Sequence, residues 1–293
     1  MKICIVGASG LLGEGFQHIS KDTKNEFILC YTKNKILNAE HLDITKNDAI
    51  KSFFKIHKPD VTINCSAITD LDFCEKNKSH VLDVNTLGAK KLAQVCNVHN
   101  SHLIHISTDY VFDGQAGPYQ ENDMPNPISY YGQTKHQSEE LVLKENENFC
   151  VVRTGMLYGW SQNKQNLATM IISELRNNRQ VKLINDLQVS PSYTDNIAKM
   201  ILELALMKIS GIFNVANSSI VTRYDFGLLL SEVFELNKSL IKPISSKDFH
   251  WNVPRPHKGG LLLDKVSKVL NKKPLTAKEC LIRMRAEEVR KEY

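Results

Sequence analysis

The 293-residue sequence lacks any apolar run long enough to span a bilayer, any C-x-x-C pair, any internal repeat and any low-complexity tract. Without a long apolar run or a signal peptide, a membrane site is not expected, and a reducing cytoplasm is the expected compartment. The seven cysteines have no histidine at zinc-site spacing, so no metal is expected. Cys4, Cys30, Cys65 and Cys150 fall inside apolar runs, where free buried thiols are usual. Charge of one sign is also scarce: 37 basic against 32 acidic residues leave +5, spread along the chain. The basic stretch at 283–291 is broken by Glu287 and Glu288 and reads as a solvated helix face, so a nucleic-acid partner is not expected. The remainder is 42% apolar and 24% charged, ordinary for a globular chain with room for one large domain or two unequal ones.

Up to about Thr154, short apolar runs (3–6, 27–31, 61–65, 103–107, 150–153) alternate with amphipathic segments. That alternation predicts βαβ units and an α/β fold with a doubly wound parallel sheet of Rossmann type. Beyond it the pattern changes: helix over 167–176, strand over 181–184, helix over 195–206, strand over 212–216 and helix over 223–236. Pro243, Pro254 and Pro256 then punctuate a loop-rich region. The expected organisation is a cofactor-binding domain over 1–154 and a smaller mixed α/β substrate domain over 155–293, with elements near 185–216 rejoining the main sheet.

Four motifs carry chemistry. The first strand runs into Gly7-Ala8-Ser9-Gly10-Leu11-Leu12-Gly13 and then a helix. Glycines there let backbone approach a pyrophosphate lying at the positive helix N-terminus. The bland alternative is a tight turn with no ligand. The fourth strand ends in Ser107-Thr108-Asp109 and the fifth in Arg153-Thr154-Gly155-Met156, both at the carboxyl edge where open α/β sheets place ligands. Thr108 could equally be a strand-end threonine bonded to local backbone. Tyr131 and Lys135 are four apart, so a helix puts them on one face. An ammonium beside a phenol lowers its pKa from about 10 and makes it an acid/base partner for a reacting oxygen. On a surface helix the same spacing is a common accident.

Taken together these residues resemble the extended short-chain dehydrogenase/reductase superfamily, and within it the dTDP-4-dehydrorhamnose reductases and related sugar-nucleotide reductases. Ile63 to Asp70, Val84 to Ala93, Ile106 to Gly114 with Pro118-Tyr119, Leu183 to Asp186 with Ser190-Pro191-Ser192, and Arg255-Pro256-His257 match that family in order. The resemblance implies hydride reduction of the C4 ketone of a nucleotide-linked 4-keto-6-deoxysugar. Tyr131 would protonate the developing alkoxide and Thr108 would hydrogen-bond it. Lys135 would depress the Tyr131 pKa and hold the nicotinamide ribose. Gly7, Ser9, Gly10, Leu11, Leu12, Gly13, Cys65, Ser66 and Ala67 would cradle the cofactor. Thr69, Asp109 and Met156 would line the sugar site, and Arg255 would meet the diphosphate.

The second strand ends Tyr31-Thr32-Lys33-Asn34-Lys35, with no acid for a ribose 2′-hydroxyl. Lys33 and Lys35 therefore point to NADPH, with NADH as second choice and Thr32 and Lys33 as the expected contacts; the two lysines could also simply solvate a loop. Asp43-Ile44 resembles an adenine-contacting pair, or else belongs to a helix N-cap region.

Two departures bear on the sugar. Met156 stands where rhamnose-pathway members commonly carry Trp, and Lys258-Gly259 follows the arginine-proline motif. Some members bridge a dimer through Mg²⁺ with a Glu where this chain has Gly15, Glu14 being one residue off, so no such metal is expected. A homodimer is expected by analogy alone. A 4,6-dehydratase needs an Asp-Glu pair where this chain has Asp109-Tyr110. An epimerase, and a non-catalytic subunit similar to the regulatory β subunit of methionine adenosyltransferase, are the alternatives.

Overall fold

Short apolar runs with hydrophobic residues on both sides of the chain suit strands of a sheet covered on both faces, and that is what they become. The computed structural model describes residues 1–271 and 273–291, so residues 272, 292 and 293 of the expected substrate domain lie outside the described residues. The strands of the first part are β1 (Lys2–Val6), β2 (Glu26–Tyr31), β3 (Glu40–His41), β4 (Val61–Asn64), β5 (His102–Thr108) and β6 (Cys150–Thr154). They alternate with α1 (Leu11–Ser20), α2 (Asn47–His57), α3 (Leu71–Lys76), α4 (Lys78–Val81), α5 (Ala89–Val98) and α6 (Tyr130–Glu145). A π-helical stretch over Leu82–Gly88 leads into α5.

Then follow β7 (Met156–Tyr158), β8 (Val181–Ile184), β9 (Gln188–Val189), β10 (Pro191–Tyr193), β11 (Gly211–Asn214), β12 (Val221–Thr222) and β13 (Ile241–Ile244). Their helices are α7 (Leu167–Arg176), α8 (Thr194–Leu206), α9 (Arg223–Val233), α10 (Asp264–Val269) and α11 (Ala277–Lys291).

One seven-stranded parallel sheet has the order β11-β6-β5-β4-β1-β2-β3. On one face Leu12, Phe16 and Ile19 of α1 and Ile197, Ile201 and Leu204 of α8 pack over Ile3, Ile5, Ile63 and Ile104. On the other, Ile50 and Phe54 of α2, Leu92 and Cys96 of α5 and Val142 of α6 pack over Cys4, Val6 and Val151. Strands β1 to β3 are laid down outward on one side of β1 and β4 to β6 on the other, so the strand order switches between β1 and β4 and a crevice opens at their carboxyl ends.

Three two-stranded ladders, β7 with β10, β8 with β13 and β9 with β12, lie outside the large sheet. Tyr158, Ile171, Phe226, Leu230, Leu281 and Met284 form a separate core beneath them. The strand expected over 212–216 is β11, one residue earlier and shorter. The helix expected over 223–236 stops at Val233, and the chain turns at Glu235, whose φ is 55°. Among the described residues no helix is long and apolar enough to cross a membrane.

Candidate active site

The glycine turn joins β1 to α1 and walls one side of the crevice. Gly7 has φ +78°, and a Cβ on it would come within 2.8 Å of the Ser66 backbone nitrogen. Only glycine fits both the left-handed backbone and that close approach. Gly10 caps the ten-residue α1 with no side-chain hydrogen bond, leaving the positive helix end to an outside acceptor. A cleft of about 530 Å³ opens there, lined by Gly10, Leu11, Leu12, Cys65 and Ala67 on the cofactor side. These residues fit a dinucleotide pyrophosphate. Gly7, Ser9 and Gly13 shape the turn and Ser66 packs against Gly7, none of the four lining the cleft.

Thr32, Lys33, Asp43 and Ile44, also expected at the cofactor, do not line it. The Thr32 hydroxyl donates to the Leu42 carbonyl at 2.9 Å, and Lys33 is exposed. Asp43 Oδ1 accepts from the Thr45 amide at 2.9 Å and the Thr45 hydroxyl at 2.8 Å. Ile44 is buried in the core against α2 and α5 rather than facing the cleft. Glu14, one position before Gly15, is buried, and its Oε1 accepts from the Gln162 amide and Asn163 Nδ2. Among the described residues no group of three or more His, Cys, Asp or Glu side chains is placed to hold a metal.

The reacting groups come from β5 and α6. Ser129 caps α6 by accepting from the Gly132 amide at 3.2 Å, which starts the helix just before Tyr131. Tyr131 and Lys135, one turn apart, line the cleft together with Thr108 and Asp109 from the end of β5. Thr108 makes the local bond too, accepting from the Tyr110 amide at 3.2 Å while its hydroxyl reaches Asp109 Oδ1 at 3.3 Å. Burial pushes the Asp109 carboxyl up to about 6, against the opposing hydrogen bond from Thr108.

The Tyr131 phenol is not depressed as expected beside Lys135: burial pushes it well above its ordinary value, opposed by a hydrogen bond from Thr108. Lys135 is 1% exposed, and its Nζ lies 3.2 Å from His105 Nε2. Burial lowers its own pKa to about 8. The physical reason is desolvation: both groups sit where a charge loses water, so each is driven toward its neutral form.

On the substrate side the cleft is lined by Thr69, Met156 and Arg255, as expected, and by Arg223, Lys164 and Asn166, which were not. Thr69 is exposed and accepts from Lys164 Nζ at 2.7 Å. Arg223 opens α9, and its guanidinium lies 5.9 Å from the ring centre of Trp251; that of Arg255 lies 4.8 Å from the same ring. The buried Nε of each arginine has no hydrogen-bond partner. Two guanidiniums with donors to spare, on one wall of one cleft, can hold a diphosphate. Arg223 read in the sequence only as a helix start, and no local signal marks it. His105 did carry a signal, a histidine inside an otherwise apolar buried strand.

The family model described as RmlD substrate binding domain matches residues 1–289. A dTDP-4-dehydrorhamnose reductase of Aggregatibacter actinomycetemcomitans is 29% identical over 298 residues, covering 97% of this chain and 98% of that protein. The methionine adenosyltransferase 2 subunit beta of Xenopus tropicalis is 28% identical over 272 residues, covering 90% and 81%. Among solved structures, a dTDP-4-dehydrorhamnose reductase from Bacillus anthracis in complex with NADP superposes with a TM-score of 0.89 at 25% identity, covering 98% of this chain and 99% of that one. The chain belongs to the RmlD substrate-binding-domain family.

Proposed function

We propose that this protein is an NADPH-dependent oxidoreductase that reduces the 4-keto group of a nucleotide-linked 4-keto-6-deoxysugar, in the synthesis of deoxysugars for surface polysaccharide. The observation that carries the reading is the convergence of Thr108, Tyr131 and Lys135 on a cleft shared by the glycine turn and two arginines with free donors. The division of labour follows the chain: residues 1–154 hold the cofactor, and those from 155 on, apart from β11 and α8, form the substrate side. The relative solved with NADP and the absence of an acid after β2 support NADPH.

When bound, NADPH supplies the hydride that goes to the carbonyl carbon. Tyr131, kept protonated at neutral pH by burial, gives its phenolic proton to the carbonyl oxygen as negative charge gathers there. The Thr108 hydroxyl donates a hydrogen bond to the same oxygen. Arg223 and Arg255 grip the diphosphate and so hold the sugar in place, which contributes through positioning. Met156 offers a flexible apolar contact to the sugar in place of a flat aromatic face.

A second reading, a cofactor-binding regulatory subunit, is favoured by the similarity to methionine adenosyltransferase 2 subunit beta. Mixing the protein and NADPH with dTDP-, UDP-, GDP- and CDP-linked 4-keto-6-deoxysugars separates the readings. One NADPH oxidised per sugar reduced is the expected result with one of the nucleotides. Interconversion of sugars with no net oxidation would make the protein an epimerase. Tight NADPH binding with neither reaction would leave the regulatory role.

A further inference from the structure

A one-way chain of hydrogen bonds runs under the site. The Ser66 backbone N–H can only donate, and it donates to Asn64 Oδ1 at 3.1 Å. That fixes the carboxamide, so Asn64 Nδ2 faces His105 Nδ1 at 3.2 Å and Nδ1 must accept. The His105 ring has no exposure, and burial, followed by the nearby Lys135, holds its pKa well below the ordinary histidine value. A neutral imidazole carries one proton, and with Nδ1 accepting, that proton is on Nε2.

Nε2 has two neighbours, Ser138 Oγ at 2.8 Å and Lys135 Nζ at 3.2 Å. The Ser138 hydroxyl gives its own proton to the Lys135 carbonyl at 2.6 Å, so Oγ is free to accept from Nε2. The ring N–H thus points between a hydroxyl oxygen and the lysine nitrogen. A neutral amine has a lone pair to receive it, whereas an ammonium does not and is repelled by the positive end of the N–H dipole.

We infer that His105 is a positioning residue for Lys135: locked as its Nε2–H form by Ser66 and Asn64, it seats the lysine nitrogen and favours the neutral amine. The inference rests on Lys135 serving the reductase site proposed above. Other groups face the same nitrogen. Glu139, one turn farther along α6 and paired with Arg153 of β6, favours the ammonium, while the Cys65 thiol after β4 is kept uncharged by burial. Tyr131, one turn earlier, is kept neutral by burial. His105 is the only one of these whose hydrogen bond opposes the charge. Because Ser66 sits in the loop whose neighbours Cys65 and Ala67 line the cleft, the chain also ties the cofactor wall to the lysine.

Nitrogen-15 NMR of the histidine-labelled protein reads the tautomer directly, with the His105 signals assigned by loss in His105→Gln. The Nε2–H form between pH 6 and 9 is expected; a protonated Nδ1 would overturn the inference. The pH profile of kcat supplies a readout that a purely structural role does not move. In His105→Asn the amide still meets Asn64 but the donor facing Lys135 is gone and water can take its place. The alkaline limb, where Lys135 loses its proton, is expected to rise by about one pH unit. His105→Gln restores a donor at the Nε2 position, and its limb should stay with the natural protein's. An unmoved limb in His105→Asn would overturn the inference. If that variant does not fold, the tautomer and the His105→Gln profile decide. Lys135→Met separates the two claims: wild-type turnover in that variant would reject the proposed site, while the tautomer of His105 would still be read independently.

Discussion

Arg153 on β6 and Glu139 on α6 form a buried ion pair, Nη2 to Oε2 at 2.7 Å, with Nε adding a bond to Oε1 at 3.0 Å. Neither side chain is more than 3% exposed. Ser107 on β5 donates a further hydrogen bond to Glu139 at 2.5 Å. The arrangement fastens the helix that carries Tyr131 and Lys135 to the two strands at whose ends the site lies.

Breaking that pair from one side leaves a charge buried without a partner. Arg153→Met should cost about 3–5 kcal/mol of stability, read from denaturant midpoints. A loss below about 1 kcal/mol would show that the pair does not hold the helix. Acid tests the same contact. Burial alone would raise the Glu139 pKa, but the His136 ring 3.9 Å away and the hydrogen bonds from Arg153 and Ser107 hold it below the ordinary value. Its stabilisation is therefore complete above the unfolded value of about 4.3 and is lost as pH falls through the lower folded value. The stability difference between the natural protein and Glu139→Gln should shrink on acidification over that window, and not above it.

Tyr131→Phe should bind NADPH with nearly the natural affinity and turn over roughly a hundredfold more slowly or worse, as expected for a lost general acid. Fluorescence titration with NADPH and single-turnover kinetics check both halves. Natural turnover in the variant would remove Tyr131 from the role of proton donor.

Arg223→Ala and Arg255→Ala should each raise KM for the nucleotide sugar by about tenfold or more, the usual scale for losing a charged hydrogen bond, with the smaller change in kcat. Competitive inhibition by the free nucleoside diphosphate should weaken in step. An unchanged inhibition constant in both variants would place the diphosphate elsewhere.

The sequence made the sheet and its glycine turn legible because those signals are local: apolar runs of strand length, glycines directly after the first, and Tyr131 one helical turn before Lys135. What escaped it depends on long-range packing. Arg223 reaches the cleft only because α9 packs on the core around Phe226 and directs its first turn toward Trp251. The lowered phenol pKa expected from Lys135 failed because four-residue spacing says nothing of burial, and burial dominates both groups. Nor could spacing disclose that the lysine nitrogen meets a histidine from β5. The π-helical stretch before α5 has no counterpart in any sequence pattern.

Lys33, exposed beyond β2, tests the cofactor assignment. Lys33→Asp places an acid where a ribose 2′-hydroxyl would be held and a 2′-phosphate repelled. The ratio of kcat/KM for NADPH to that for NADH should fall by about tenfold, the effect of roughly 1.4 kcal/mol of lost attraction. An unchanged ratio would mean that Lys33 only solvates its loop.

The central claim is a net hydride transfer to the sugar carbonyl, and isotope labelling reads it most directly. With NADPH carrying deuterium at the transferable nicotinamide position, product from a 4-keto-6-deoxysugar nucleotide should carry one deuterium on carbon 4 per cofactor oxidised, seen by mass spectrometry and NMR. Product formed without deuterium, or with the labelled cofactor returned unoxidised, would contradict the account.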